Sequence, residues 1–437
     1  MGALLEASEY TVLKERKSYK VPRGFRDLLP ENVALWERLE TIASDLARQR
    51  GFREIRPSLL EETDLFTRSV GEVTDIVEKE MFSFERGKTQ LSLRPEGTAG
   101  IARAYIQAGY PKTKPVQRFF HIGPMFRYER PQKGRERMFT QFDVEALGSM
   151  DPRLDAEIIQ LAARFFEELG MQGLEIRVNS MGDGDDRDRY REAVKDFLRP
   201  TLEAHCELCQ SRFERNVLRV LDCKNPSCIE LHQGAPAILE FLSAENREHF
   251  DEVRRMLAEV GRETLIDSGM VRGLDYYTRT IFEIHYPAMG ARSALCGGGR
   301  YDHLIRDLGG PDLGAVGFAI GFSGTLIALE ELGLVGEAAV APAEVFLVAA
   351  DGDQRARVFG LAEELRASGI SSIYDVESKS LKAQMKAANA GGHRFALILG
   401  PEELERGTVQ LKDLEAREQQ EWKRDQVVQH ILDGRGG

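Results

Sequence analysis

The chain has 437 residues, 42% hydrophobic and 30% charged, with 59 Lys plus Arg against 71 Asp plus Glu and a net charge of −12. That length predicts two or three domains with real cores, and the acidic balance excludes a generic cationic nucleic-acid binder, leaving any such contact to local basic elements. No run approaches the roughly 18 apolar residues of a membrane span, the N-terminus lacks a signal-peptide core, and five cysteines, an odd number, predict reduced thiols in a cytoplasmic protein.

In chain order, Leu35, Leu39, Ile42 and Leu46 recur at helical spacing over residues 31–50, Gly51 ends that helix, and a short strand leads to Pro57. Residues 94–98 (RPEGT) precede an alanine-rich helix. Glu96 there is either a solvated turn residue or a fixed carboxylate for an ammonium group, with Thr98 as helix cap. Two β-type runs fill residues 116–147 around a basic loop, residues 130–137. Period-two alternation puts Met125, Arg127 and Glu129 on one face of the first. On the second, Gln141, Asp143 and Glu145 oppose Phe142, Val144 and Ala146. A half-buried hairpin with its polar side to water accounts for this pattern. So does a polar pocket lined by Arg127, Gln141 and Glu145, and the loop favours it: Arg130, Lys133, Arg135 and Arg137 make an anion site suited to a nucleoside triphosphate.

Residues 187–257 read as mostly helical and hold four of the five cysteines. Cys206-x2-Cys209 and Cys223-x4-Cys228, with His205 alongside, have a spacing compatible with zinc; reduced packing cysteines are the alternative. A β region over 270–300 carries VRGLDYY at 271–277 and CGGGRYD at 296–302, whose glycines admit a close ligand or a sharp strand-to-helix turn. Walker A and βαβ GxGxxG motifs are both missing. Residues 332–342 read as a linker, and buried strands at 345–349 and 395–399 mark a βα-type tail domain. Lys379, Lys382 and Lys386 fall at 3 and 4 spacing, predicting one helix face able to contact phosphates.

The string at 119–145 (FFHIGPMFRYERPQKGRERMFTQFDVE), with RPEGT before it and RGLDYY and GGRYD after it, resembles bacterial histidyl-tRNA synthetases, which belong to the class II aminoacyl-tRNA synthetases. The resemblance spans nearly the whole chain, and the last two strings are peculiar to the histidine enzymes. It implies an α+β fold: a class II catalytic domain (antiparallel sheet flanked by helices) over residues 1–182 and 262–335, a helical insertion over 183–261, a linker over 336–343 and a C-terminal α/β anticodon-binding domain over 344–437. The implied activity is ATP-dependent attachment of L-histidine to tRNA(His) through a histidyl-adenylate, with Mg²⁺ accompanying ATP, in a homodimer held by the helix and strand ending at Pro57.

Residue by residue, the resemblance implies that Arg127 and Arg272 are catalytic, stabilising α-phosphate charge. Glu96, Gly97, Thr98, Arg127, Gln141, Glu145, Arg272, Tyr276, Tyr277 and Tyr301 would bind histidine. Arg127, Arg135 and Arg137 would bind ATP, and Lys379, Lys382 and Lys386 the tRNA. No residue is assigned to a resident metal. One departure stands out. In residues 316–329 (VGFAIGFSGTLIAL), Gly324 stands where the family carries the motif 3 arginine that contacts the γ-phosphate. Losing such a contact costs roughly 2–5 kcal/mol, so Arg135 or Arg137 is the expected substitute. Gly324 also fits a non-catalytic paralogue, such as the histidine-sensing regulatory subunit of ATP phosphoribosyltransferase, although those regulators lack the tail domain. His121-Ile122-Gly123 and Ser378-Lys379-Ser380 imitate class I signatures, but Pro124 stands where the second histidine is needed.

Overall fold

The computed structural model describes residues 19–71, 74, 76–270, 276–335, 342–377 and 379–434. It forms two compact units, Met1–Ala338 and Ala339–Gly437. The first is built on an eight-stranded sheet. Its strands, in chain order, are β1 (Arg53–Glu54), β5 (Gln117–Phe126), β6 (Met138–Leu147), β7 (Glu175–Ser180), β8 (Thr264–Ile266), β9 (Thr278–His285), β10 (Ala294–Arg300) and β11 (Ala315–Gly321); β2 (Leu60–Glu62), β3 (Phe82–Arg86) and β4 (Thr89–Leu93) make a separate three-stranded sheet. The spatial order is β1-β5-β6-β11-β10-β9-β7-β8, antiparallel except for the parallel edge pairs β1/β5 and β7/β8.

Strand alternation splits this sheet into an apolar and a polar face. Phe120, Phe142, Val144, Phe282, Ile284, Phe318 and Ile320 point to one side and are buried against three helices, Pro30–Gln49, Pro152–Glu168 and Ala244–Glu259. Phe142 meets Phe318 edge-on with ring centroids 5.5 Å apart and Phe165 at 5.7 Å. Each such ring taken from water contributes about 1.5–3 kcal/mol, and this face is the main cohesive layer. The helix Pro30–Gln49 starts with proline in its first turn, where a missing N–H costs nothing, and Gly51 leaves it at φ +75°.

The opposite face carries Gln141, Asp143 and Glu145. Their neighbours in register on β11 are Gly321, Ala319 and Gly317, and β10 adds Gly297 opposite Ala319 and Gly299 opposite Gly317. The glycine cluster therefore neither forms a strand-to-helix turn nor breaks the strand. Gly298 lies mid-strand beneath the Phe282 and Phe318 side chains, where a Cβ would come within 2.8 Å of both, and Gly299 is crowded by Thr280 and Ile281.

The second unit has a five-stranded sheet, β12 (Val345–Ala349), β13 (Ser372–Tyr374), β14 (Phe395–Leu399), β15 (Thr408–Asp413) and β16 (Glu418–Lys423), in the order β13-β12-β14-β15-β16. The first three are parallel; β15 and β16 add an antiparallel hairpin at the edge. That hairpin lies outside the alternating strand-and-helix pattern, because β16 (EQQEWK) is mostly exposed and carries no apolar run. Gln384, buried in the helix Leu381–Ala390, donates to Ala349 O (3.0 Å) and accepts from Ala349 N (3.1 Å), tying helix to sheet.

Candidate active site

The polar face of β6 is not exposed at the protein surface. Gln141, Asp143 and Glu145 are all buried; Gln141 and Asp143, with Glu96, Thr98, Arg127, Tyr276, Tyr277 and Tyr301, line a cavity of about 410 Å³, whereas Glu145, expected on its wall, lies behind the lining and is bound by Thr98 and Tyr301. The sheet makes room for it by omission: small residues at 297, 317 and 319 leave the floor low enough for carboxylates to lie flat.

Each acid is held differently. Glu96 accepts hydrogen bonds from the backbone N–H groups of Thr98 and Ala99, both at 2.8 Å. These are orphan donors of the helix Thr98–Gln107, so Glu96 caps that helix. Thr98 is its first residue rather than its cap, and its hydroxyl donates instead to Glu145 Oε1 at 2.5 Å. Tyr301 donates its hydroxyl to Glu145 Oε2. Asp143 Oδ2 and Gln141 Oε1 are buried with no hydrogen-bond partner among the described residues. Burial pushes the Glu96, Asp143 and Glu145 carboxyls up, for Asp143 and Glu145 well above the ordinary range, and Asp143 and Glu145 are raised further by their acidic neighbours. With Glu96 and Asp143 on the lining and the Asp143 Oδ2 and Gln141 Oε1 acceptors unpartnered, that side of the pocket suits a ligand that brings hydrogen-bond donors and positive charge.

Arg94 and His121 brace this wall from behind. Buried Arg94 donates to Pro124 O (2.9 Å), to Pro57 O (3.0 Å) and, at 2.7 Å, to His121 Nε2. Arginine can only donate, so His121 Nε2 accepts and its Nδ1–H donates to Ile55 O at 2.9 Å. Burial and the Arg94 charge push His121 down to about 4. His121, which in the sequence stands only in a misleading motif, is thus a structural tie between Arg94 and the Ile55 backbone. Asp143 and Arg94 were also not singled out. For Asp143 the signal was present, since period-two alternation seats it between Gln141 and Glu145.

The three tyrosines cluster, with Tyr276 to Tyr277 centroids at 4.8 Å and Tyr276 to Tyr301 at 5.3 Å. Burial, then the neighbouring Tyr277 and the acids Glu96 and Glu145, push the Tyr276 phenol well up. Gly97 is packed against Asp143, whose Oδ2 would lie 2.5 Å from a Cβ there. Arg272, in residues 271–275, lies outside the described residues.

A second cavity of about 390 Å³ shares Arg127 and Arg135 with the first and is lined also by Glu129, Glu136, Phe139 and Gly324. Arg127 Nε donates to Pro95 O (2.8 Å), and its guanidinium lies 5.4 Å from the Phe139 ring. The loop is less cationic than its composition suggests. Arg135 pairs with Glu129 at 3.5 Å, Lys133 with Glu331 at 3.1 Å, and Arg26 with Glu136 at 2.8 Å. Arg137 does not line this cavity: it stacks over Tyr128 at 3.6 Å and donates to Glu129 O at 3.3 Å. Gly324 lies in the first turn of the helix Phe322–Leu332, and a Cβ there would meet nothing within 4 Å. Beside it Ser323 donates to Glu136 Oε2 at 2.7 Å.

The lysines of the tail do not all share a helix. Ser380 is the N-cap of Leu381–Ala390, so Lys382 and Lys386 are exposed on one face of it while Lys379 precedes the cap and pairs with Glu377. The sequence spacing was right but the helix starts two residues too late, because the Asp375 side chain takes the Lys379 N–H at 2.8 Å.

An antiparallel sheet with helices on one face and a polar pocket on the other, joined to a separate α/β unit, defines a class II aminoacyl-tRNA synthetase. The comparisons with known proteins agree. The histidyl-tRNA synthetase family matches residues 24–183 and 186–324, and the anticodon binding domain family matches 344–433. A histidine–tRNA ligase of Moorella thermoacetica is 46% identical over 403 residues, 92% of this chain and 95% of that protein; one from Desulforamulus reducens is 43% identical over 411 residues, 94% and 98%. The crystal structure of apo Staphylococcus aureus histidyl-tRNA synthetase matches with a TM-score of 0.79 at 32% identity, covering 94% of this chain and 99% of that one. The chain belongs to the histidyl-tRNA synthetase family.

Proposed function

We propose that the protein activates L-histidine with ATP and transfers the histidyl group to tRNA(His), releasing pyrophosphate and AMP. The observation that carries this reading is the pair of unpartnered acceptors in the acidic pocket. Glu96, Asp143 and Gln141 line it with Asp143 Oδ2 and Gln141 Oε1 unpartnered, Glu145 is buried just behind Thr98 and Tyr301, and Arg127 lines it as well. An amino acid with an ammonium group, a ring N–H and a carboxylate matches that charge pattern.

In this reading Glu96, Asp143 and Gln141 take the ammonium group. Glu145, its two oxygens already held by Thr98 and Tyr301, takes an imidazole N–H, and Tyr276 and Tyr277 close over the ring. Buried partners of this kind reject substrates lacking the matching N–H, since they would be left unsatisfied. Gly97 keeps the backbone close to the ligand. ATP occupies the adjoining cavity with its base against Phe139 and its phosphates toward Arg127 and Arg135. Arg137 acts at one remove, by shaping the loop. Mg²⁺ enters with ATP, and Glu129 and Glu136 are the carboxylates of that cavity among the described residues.

The chemistry is in-line displacement. A histidine carboxylate oxygen attacks the α-phosphorus, the bond to the bridging oxygen breaks, and pyrophosphate departs with its metal. The terminal ribose hydroxyl of the tRNA then attacks the activated carbonyl and AMP leaves. Arg127, with Arg272, neutralises charge on the α-phosphate, and positioning supplies most of the rate. Lys382 and Lys386 contact tRNA phosphates. A homodimer is supported by Leu59, Leu60 and Phe84, large apolar side chains exposed around the three-stranded sheet. A cytoplasmic enzyme fits these substrates, and no helix among the described residues is long and apolar enough to cross a membrane.

Histidine-dependent ATP–pyrophosphate exchange on the purified protein tests the reading. Exchange supported by histidine alone among the amino acids is expected. Gly324 is the one feature favouring a histidine-sensing paralogue, and histidine binding without exchange would establish that instead.

A further inference from the structure

We infer that Cys206, Cys209, Cys223 and Cys228 form a closed, structural zinc site that holds the helical insertion together. Their four sulfurs lie within 4.8 Å of one another, and three of the four residues are buried. Tetrahedral Zn²⁺ with bonds of about 2.3 Å sets its sulfurs about 3.8 Å apart; Cys206 Sγ and Cys223 Sγ stand at 3.9 Å. All four are free thiols rather than disulfides.

The local chain geometry is that of a ligand set. Cys206 is the N-cap of the helix Glu207–Arg215 and Cys209 lies in its first turn, while Cys223 and Cys228 flank Asn225, the cap of Pro226–Leu231. Two backbone N–H groups point at sulfur: Cys206 N donates to Cys228 Sγ (3.3 Å) and Asn225 N to Cys223 Sγ (3.5 Å). Such donors stabilise thiolates and orient metal ligands. His205 lies outside this cluster: its Nδ1–H donates to Thr201 O at 2.9 Å and its ring stacks on His232. Four soft sulfurs close enough to share one ion select zinc, and a four-sulfur set leaves no open position, so the site is structural rather than catalytic. Binding releases the thiol protons to solvent.

The need for a metal follows from the size of the segment. Its helices here run 9, 4 and 6 residues, each too short to persist alone. Their apolar residues, Cys209, Phe213, Leu218 and Cys228 among them, belong to the same buried cluster as Tyr277 and Tyr301. A metal here stiffens the layer behind the pocket wall.

The test is elemental analysis of the full chain purified under reducing conditions without chelator, and again after reconstitution with Zn²⁺ and removal of excess. About one zinc per chain is expected, falling below about a tenth in the Cys206→Ser/Cys209→Ser double variant and retained in Cys296→Ser. Because the double variant risks misfolding, the wild-type chain provides an independent reading. Replacement by Co²⁺ should give the intense thiolate-to-cobalt absorption of a tetrahedral four-sulfur site, and chelation should speed tryptic cleavage after Arg212 and Arg215. Less than about a tenth of a zinc per chain after reconstitution, or iron in its place, overturns the inference.

Discussion

Gly317 lies directly opposite Glu145 across the β6–β11 ladder, and a side chain at 317 would take the space of the Glu145 carboxylate. The Glu145 carboxylate can lie on the sheet, behind Thr98 and Tyr301, only because its neighbour has no Cβ. Overpacking of this kind costs about 1–3 kcal/mol. Gly317→Ala is expected to lower kcat/KM for histidine roughly 10- to 100-fold with the circular-dichroism spectrum unchanged. An unaltered histidine KM would show that Glu145 does not face the substrate.

Asp143 Oδ2 is a buried acceptor waiting for a donor. A hydrogen bond to a charged group contributes about 1.5–3 kcal/mol. Asp143→Asn should therefore raise KM for histidine about 10- to 100-fold and leave KM for ATP within about twofold. Equal effects on both substrates would assign Asp143 to folding rather than recognition.

The open space around Gly324 makes a restoration experiment possible. Gly324→Arg should be tolerated in its helix, where glycine is less favourable than most residues by up to about 1 kcal/mol. One recovered charge-assisted contact predicts a fall in KM for ATP of about tenfold. Arg135→Ala should raise that KM in the parent chain and matter less in the Gly324→Arg background. Arg137→Ala should chiefly perturb the loop. If Gly324→Arg leaves ATP kinetics unchanged, the missing arginine is already compensated.

His121 gives an acid limit to stability. The folded protein holds it neutral down to about 4, whereas an unfolded chain protonates it near 6.5. Unfolding takes up a proton between those values, so stability falls as pH drops through that window, by on the order of 3 kcal/mol from this group. Thermal melts of His121→Gln should show a flatter decline from pH 6.5 to 4 than the parent; parallel declines would mean that other groups control acid unfolding.

Much of this was legible from the chain. The first helix and the strands at 345–349 and 395–399 stood out because their apolar residues repeat at one clear period. The β6 alternation even sorted pocket from core. The rest depended on tertiary context. Whether the face of Gln141 and Glu145 meets water turns on glycines more than 150 positions downstream, and local pattern carries no such information. Thr98 read as a cap because its residue type favours that role, yet Glu96 occupies the helix end first. Lys379 fitted the spacing of a helix that begins only at Leu381. The basic loop's anion affinity was overstated by composition, because Glu129, Glu136 and Glu331 neutralise part of it.

Glu96 joins two tasks in one carboxylate. It closes the start of the helix Thr98–Gln107 while facing the pocket. An engineer seeking a different amino-acid substrate therefore has little freedom there: any replacement short enough to admit a new ligand also frays the helix that carries Thr98, and through it loosens Glu145. Redesign has to begin at the tyrosine wall, where side chains can be exchanged without unpicking the backbone beneath them.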